Sequence, residues 1–300
     1  MANPEFGYDS TEIEDLSQPL PPVRQLFSYA MTAIAFLFTG LALLPLFAIL
    51  IEILRQGLPG LSLETLVSLP APVGVTDEPN GFANAIVGTL IMVGLASLVS
   101  IPIGVMTAIY LTEFGKGGAI ANSIRFIATV LSGVPSIVVG VFAYGVIVLT
   151  TKSFSAIAGS FALAVLMLPV VVLSTEGALN LVSNSQRLAS AALGSSRFQT
   201  TWRVVLLSAL PGITTGVLLA VARAAGETAP LIFTALFSQN WFSGLQNPTP
   251  SMSVLIYNYA NSPYVEQTSL AWTASVVLVL MILLINILSR LVTRNRLDIQ

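Results

Sequence analysis

Long stretches without charge constrain this chain more than any other feature of its sequence. Six of them are apolar and reach about the 20 residues that an α-helix needs to cross a hydrocarbon layer. Only 9% of the residues are charged, 55% are hydrophobic and the mean hydropathy is +0.86, which leaves too little charge for a water-facing surface. We therefore predict an all-α integral membrane protein. Its six predicted transmembrane helices are residues 26–52, 83–111, 120–149, 156–175, 209–237 and 268–289.

The third predicted span carries an interruption, the run Ser132-Gly133-Val134-Pro135-Ser136. Proline and glycine are tolerated within a membrane when neighbouring helices or a polar cavity satisfy the freed backbone groups. The sequence predicts one kinked or broken helix, with two short helices as the alternative.

Charges outside the spans indicate the orientation. Residues 1–24 are acidic and proline-rich, have no basic residue before Arg24 and are predicted to form a disordered cytoplasmic tail, not a signal peptide. If this tail is inside, the outer connections hold only Arg55 and Lys152. Such an asymmetry follows the positive-inside rule and predicts that both termini are cytoplasmic. The basic residues of the inner side are Arg24, Lys116, Arg125, Arg187, Arg197, Arg203, Arg290, Arg294 and Arg296.

The inner loop, residues 176–208, has structure of its own. An Ala- and Leu-rich helix pattern ends at Gly194, and the run from Ser196 to Gln199 matches a capping box that starts a second helix. This predicts a helix-turn-helix elbow, which either lies on lipid headgroups or docks on a cytoplasmic partner. The residues of the predicted docking surface are Ala189, Ser190, Ala191, Ala192, Leu193, Gly194, Ser195 and Phe198.

A pair of opposite charges stands within the fifth predicted span, in the run LLAVARAAGETAPLIFTALF. Arg223 and Glu227 are four residues apart, one turn of a helix. Each would cost about 2.5–3.5 kcal/mol alone at mid-membrane, and pairing offsets only part of that cost. The pair either locks helix packing or lines a substrate pathway. Hydroxyls at Ser132, Ser136 and Thr228 are further candidates for the pathway, although such groups also bond the helix backbone.

The same span carries small residues at every fourth position. Gly212, Gly216 and Ala220 lie on this stripe, which predicts close packing against another helix. Pro230 is predicted to kink the helix just beyond the charged pair.

Several classes of function are excluded or disfavoured. The chain has no histidine and no cysteine, so thiol chemistry and the commonest zinc ligands are absent. It has no glycine-rich phosphate loop of the ATPase type, and Glu227 is the one carboxylate in the middle of a predicted span. We therefore predict no enzyme activity, no cofactor, no metal and no nucleic-acid partner.

Two segments resemble the permease subunits of ABC importers. The elbow fits the pattern Glu-Ala-Ala, three residues, Gly, nine residues, Ile-x-Leu-Pro when it is aligned on Gly194, although Leu188 replaces the glutamate and Leu207 the proline. The run ARAAGETAPL, residues 222–231, is similar to GRAxGETAPL of phosphate-importer permeases, as is LSGVPSIVVGVFAY in the third span. The resemblance covers most of the chain from Asn84 to Ala235.

This resemblance implies the type I permease fold and a place in an ATP-driven importer of inorganic phosphate in the bacterial inner membrane. The implied partners are a second, different permease subunit, a dimer of ATPase subunits, an external phosphate-binding protein and membrane lipid. The elbow would sit in a cleft of an ATPase subunit. Permeases for sulfate, molybdate or phosphonate, and an ion-coupled secondary transporter, are the alternatives.

Phosphate chemistry agrees with an arginine in the pathway, because a guanidinium can bind two phosphate oxygens at once. Glu227 would partly neutralise Arg223. Our hypothesis is that the pair keeps the arginine from binding phosphate too tightly, so that the ion can also leave.

Overall fold

The computed structural model describes residues 21–74 and 79–297, with side chains up to residue 287, and the helices dominate throughout this part of the chain. The chain divides into two units, Met1–Glu52 and Ile53–Gln300. The helices are α1 Pro22–Gly57, α2 Leu63–Val67, α3 Ala83–Phe114, α4 Ala119–Ser132, α5 Ser136–Thr151, α6 Ala156–Asn180, α7 Asn184–Ala192, α8 Arg197–Gly226, α9 Ala229–Thr234, α10 Met252–Ala260 and α11 Val265–Leu297.

The first unit contains most of α1, a single apolar helix that continues through Pro45. The predicted acidic tail, residues 1–24, lies outside the described residues except for its last four. Of these, Pro22 opens α1, where its missing N–H costs nothing because the first turn of a helix has no internal acceptor for it.

The second unit is built around α6, which packs against α3, α4, α5, α8 and α9. Small residues along α6 let its neighbours approach closely. A Cβ added at Gly159 would lie 2.7 Å from Met92 Sδ of α3, and one added at Gly104 of α3 would lie 2.7 Å from a methyl group of Val171. The apolar core therefore surrounds one central helix.

Five helices are long and apolar enough to cross a membrane, and the bent pair α4 and α5 makes a sixth span if it is counted as one. Each span differs somewhat from the prediction in at least one of its bounds, and two of the differences change how the chain is divided into elements. The fourth continues past residue 175 to Asn180, and the fifth begins at Arg197 and ends at Gly226 instead of spanning 209–237. The second helix of the elbow and the fifth span are thus one continuous helix.

The third span is broken, as the sequence predicted. α4 ends at Ser132, α5 begins at Ser136, and their axes differ by 104°. Pro135 is the residue immediately before α5, so its lack of an N–H interrupts the helix, and it disfavours helical geometry at Val134.

The fifth span ends early for a similar reason. A helix running through residue 230 would need an N–H there to bond the carbonyl of Gly226, and Pro230 has none. Its ring would also clash with that carbonyl. The chain becomes extended at Glu227, with φ −71° and ψ 123°, and α9 restarts with proline in its first turn.

The segment between α9 and α10 is held against the first turns of α3. Asn84 is buried and donates to the carbonyls of Ser238 and Asn240 at 3.3 and 3.2 Å, and Thr89 accepts from the backbone N–H of Met252 at 2.9 Å. This polar pinning fixes the segment, residues 235–251, which the sequence predicts to lie outside and which we call the outer segment. On α10, burial raises the pKa of Tyr259, and the hydrogen bond from Gln239 partly offsets this effect.

Candidate functional site

The charged pair forms the centre of the candidate site. Arg223 Nε lies 3.2 Å from Glu227 Oε1, with the arginine side chain 49% exposed and the glutamate side chain 14% exposed. The contact uses the Nε group, and within the described residues Nη1 and Nη2 make no hydrogen bond. The pair thus holds the guanidinium in place while leaving its terminal fork available to the oxygens of an anion.

The pair does not lie on one uninterrupted helix, and this corrects the sequence prediction. Arg223 is in the last turn of α8, whereas Glu227 is the extended residue that follows that helix. Pro230 does not kink a continuing helix; it lies in the first turn of α9. The Glu227 carbonyl, freed by the break, accepts the Ser253 hydroxyl of α10 at 2.9 Å, so α10 stabilises the break.

The two helix breaks are connected by direct packing. A Cβ added at Gly140 of α5 would lie 2.6 Å from Pro230 Cα of α9, so the segments that follow the two breaks touch. Ser136 and Thr228, one at each break, are half-buried, and their hydroxyls make no hydrogen bond within the described residues. Ser132 is different, because its hydroxyl donates to the Thr129 carbonyl at 2.7 Å. This is a bond to the helix backbone, the alternative to substrate contact that the sequence analysis named.

The stripe of small residues on α8 lies against α6. A Cβ at Gly212 would be 2.8 Å from Ala178 Cβ, and one at Gly216 would be 2.2 Å from Ser174 Oγ. Ala220 is 1% exposed and belongs to the core around Met92. Close packing thus holds one side of α8 while Arg223 projects from another.

The elbow, which we define as residues 184–200, consists of α7, a turn and the first turn of α8. Gly194 has φ +81°, a conformation that favours glycine, and Ser196 and Gln199 form the predicted capping box. Leu193 and Phe198 are exposed, at 88% and 62%. Ser190 faces inward instead, and its hydroxyl lies 2.9 Å from that of Thr200, so it braces the two helices of the elbow.

Two further ion pairs were missed by the sequence analysis. Arg187 of α7 contacts Glu113 of α3 at 2.8 Å, and Arg125 of α4 contacts Glu176 of α6 at 2.5 Å. Both carboxylates are nearly buried. The sequence does contain a signal for these two ion pairs. Each glutamate stands at the end of an apolar span, and each arginine belongs to the predicted inner segments.

In the part of the chain that the structure describes, no group of three or more His, Cys, Asp or Glu side chains is close enough to hold a metal ion. The candidate site therefore consists of one ion pair, two hydroxyls and two adjoining helix breaks. It can bind an anion through hydrogen bonds and charge.

Comparison with known proteins agrees with this architecture. Residues 100–296 match the family model described as binding-protein-dependent transport system inner membrane component. The chain is 39% identical over 274 residues to a phosphate transport system permease protein PstA of Haemophilus influenzae, covering 91% of this chain and 96% of that protein. It is also similar to the phosphate transport system permease protein PstA 1 of Mycobacterium tuberculosis. The identity is 34% with the protein of strain CDC 1551 and 33% with that of strain H37Rv, and each match covers 96% of this chain.

Solved structures show the same fold. A chain of the inward-facing MetNI methionine ABC transporter aligns with a TM-score of 0.58 at 21% identity, covering 71% of this chain and 95% of that one. A chain of a bacterial alginate ABC transporter aligns with a TM-score of 0.62 at 14% identity, covering 91% and 95%. The fold is that of type I permeases of ABC importers, and the chain belongs to the family of binding-protein-dependent transport system inner membrane components.

Proposed function

We propose that this chain is a transmembrane permease subunit of an ATP-driven importer of inorganic phosphate. The observation that carries this proposal is the match along 91% of the chain, at 39% identity, to a protein named as a phosphate transport permease. The site is compatible with it, because the terminal fork of Arg223 can take the oxygens of an anion. In this role the chain forms half of the translocation pathway.

Arg223, Glu227, Thr228 and Ser136 are the proposed pathway residues, and Ser132 contributes only if its local hydrogen bond to Thr129 opens. Arg223 would take phosphate oxygens through Nη1 and Nη2. Glu227, bound to Nε, would weaken that contact enough for the ion to leave, since conduction requires binding that is neither too weak nor too strong.

The elbow is the proposed docking element for a separate ATPase subunit. Its exposed apolar side chains, Leu193 and Phe198, lie beside a glycine bend that allows close approach. The sequence contains no phosphate-binding loop of its own, so ATP hydrolysis is assigned to the partner. Both termini are then cytoplasmic, on the same side as the elbow.

The complete importer would contain this chain, a second permease subunit, a dimer of ATPase subunits and an external phosphate-binding protein. Membrane lipid would cover the apolar surfaces that no subunit covers. The chain is thus placed in the inner (plasma) membrane as a multi-pass subunit.

Uptake of radiolabelled phosphate by the reconstituted importer tests this function. We expect uptake that requires ATP and the binding protein, and that a tenfold excess of unlabelled phosphate suppresses about tenfold while equal excesses of sulfate or molybdate do not. Competition by sulfate equal to that by phosphate would show instead that the chain belongs to a permease for another oxyanion. Uptake driven by an ion gradient without ATP would support the secondary transporter.

A further inference from the structure

At the elbow end of the second unit, three arginines converge on the last turn of α3. This turn, Tyr110–Phe114, is π-helical; its first carbonyl, of Tyr110, accepts the Gly115 N–H, and the later ones have no following helical turn to satisfy them. Arg125 Nη2 donates to the carbonyl of Leu111 at 2.9 Å, and Arg197 Nη2 donates to the carbonyl of Glu113. Basic groups at this position also interact favourably with the helix dipole.

Glu113 lies at the centre of this cluster. Its side chain is 6% exposed and accepts two hydrogen bonds from Arg187, from Nε at 3.2 Å and from Nη2 at 2.8 Å. Arg187 also donates to the carbonyls of Val182 and Leu179, at 2.5 and 3.0 Å, where α6 ends. One carboxylate and one guanidinium thus connect α3, α7 and the end of α6.

The cluster contacts both helices of the elbow. Arg187 is on α7, and Arg197 opens α8 and lies 5.3 Å from the centre of the Phe114 ring of α3. Separating the elbow from α3 would leave Glu113 or Arg187 nearly buried without its counter-charge, which is strongly unfavourable. The elbow and the end of α3 are therefore expected to move together.

The cluster also reaches the candidate anion site through contiguous packing. Arg125, which holds the Leu111 carbonyl and Glu176, belongs to α4, and α4 leads through the break into α5. Gly140 of α5 packs on Pro230, three residues after Glu227. The elbow and the charged pair are thus linked by a series of contacts that crosses one helix break, between α4 and α5.

We propose that Glu113 is a positioning residue that makes the elbow, the end of α3 and α4 move as one unit, so that motion at the ATPase reaches the pathway. This inference rests on the proposed function, because it assumes that the elbow meets the ATPase. It assigns a role to a carboxylate that touches neither phosphate nor ATP.

Coupling in the reconstituted importer is the first test. We expect Glu113→Gln to keep the ATPase subunit bound and to hydrolyse ATP, but to transport at least about fivefold less phosphate per ATP, the lower end of usual coupling between sites. Glu64→Gln, which changes an exposed carboxylate on α2, is the control and should match wild type.

An unchanged ratio in Glu113→Gln would overturn the proposal. Loss of the ATPase subunit from Glu113→Gln would make Glu113 a residue of assembly and would overturn it too.

A distance measurement tests the same idea without reference to the transported ion. The chain has no cysteine, so spin labels can be placed cleanly at Lys116→Cys, between α3 and α4, and Ser185→Cys, on α7. In the assembled importer with wild-type Glu113, the distance between the labels should be the same with and without ATP; in Glu113→Gln it should change.

A distance that changes on ATP binding in wild type, or that stays constant in both proteins, would refute a connection through Glu113. If the complex hydrolyses ATP yet carries no phosphate, the proposed function fails, while the label distances still decide the role of Glu113.

Discussion

Replacing Arg223 by glutamine should reduce phosphate transport by roughly 10- to 150-fold, because a hydrogen bond to a charged group is worth about 1.5–3 kcal/mol. Glutamine keeps much of the side-chain length and one donor group but loses the charge and the planar fork. The loss should appear mainly as a raised apparent KM for phosphate delivered by the binding protein. Uptake into proteoliposomes that contain the whole importer measures it.

Glu227→Gln separates a pathway role from a structural one. Both glutamine variants remove the same ion pair, so a purely structural pair predicts similar losses of folded protein and no opposite effects on KM. In the pathway hypothesis, Glu227→Gln leaves Arg223 without its neutralising partner. Phosphate should then bind more tightly and leave more slowly, so that KM and the maximal rate both fall.

Lys116→Gln is the matched control for loss of one positive charge, because Lys116 is exposed in the connection between α3 and α4. It should transport at the wild-type rate. Near-normal transport by Arg223→Gln, with normal amounts of folded protein, would remove Arg223 from the pathway.

The membrane class and the approximate positions of the spans follow from hydropathy, because a helix must hide its backbone polar groups from lipid over a fixed length. Helix ends are a different matter. The sequence stays apolar from residue 209 through 237, whereas the helix ends at Gly226. Pro230, four residues later, has no N–H to donate to the Gly226 carbonyl. Hydropathy records where a chain can lie in lipid but does not mark this end, and a proline alone does not mark it either, because Pro45 and Pro211 lie inside α1 and α8.

The candidate site shows the same division between local and long-range information. Arg223 and Glu227 are four residues apart, so their contact could be predicted from spacing alone, even though the helix between them ends. Glu113 and Arg187 are 74 residues apart. Their contact depends on how α3, α6 and α7 meet, which no periodicity in the sequence encodes.

Two kinds of glycine position show the same contrast between what the sequence predicts and what only the fold reveals. Gly212 and Gly216 stand in a four-residue repeat, and the packing of α8 on α6 at these positions matches what such a repeat predicts. Gly88 of α3 stands in no repeat that the sequence analysis identified. Its importance follows only from the crossing of the outer segment, where Thr249 and Pro250 pass directly over it.

Gly88→Ala is accordingly expected to be among the most damaging single substitutions in the second unit. The added Cβ would lie 1.9 Å from the Pro250 carbonyl oxygen and 2.9 Å from Thr249 Cγ2. The carbonyl is backbone, and the bonds of Asn84 and Thr89 to the same outer segment prevent it from moving away. We expect a loss of about 3 kcal/mol, the upper end for overpacking, seen as a lower Tm and less protein in the membrane.

Gly94→Ala provides the control on the same helix, because a Cβ there meets nothing within 4 Å. Alanine has the higher helix propensity by about 1 kcal/mol, so this variant should be as stable as wild type or slightly more so. The two substitutions add the same methyl group to α3 and differ only in what that methyl group meets. Equal Tm values for Gly88→Ala and Gly94→Ala would show that the outer segment does not pack tightly against α3 at Gly88. The close contact of Gly88 with Thr249 and Pro250 would then make no contribution to stability.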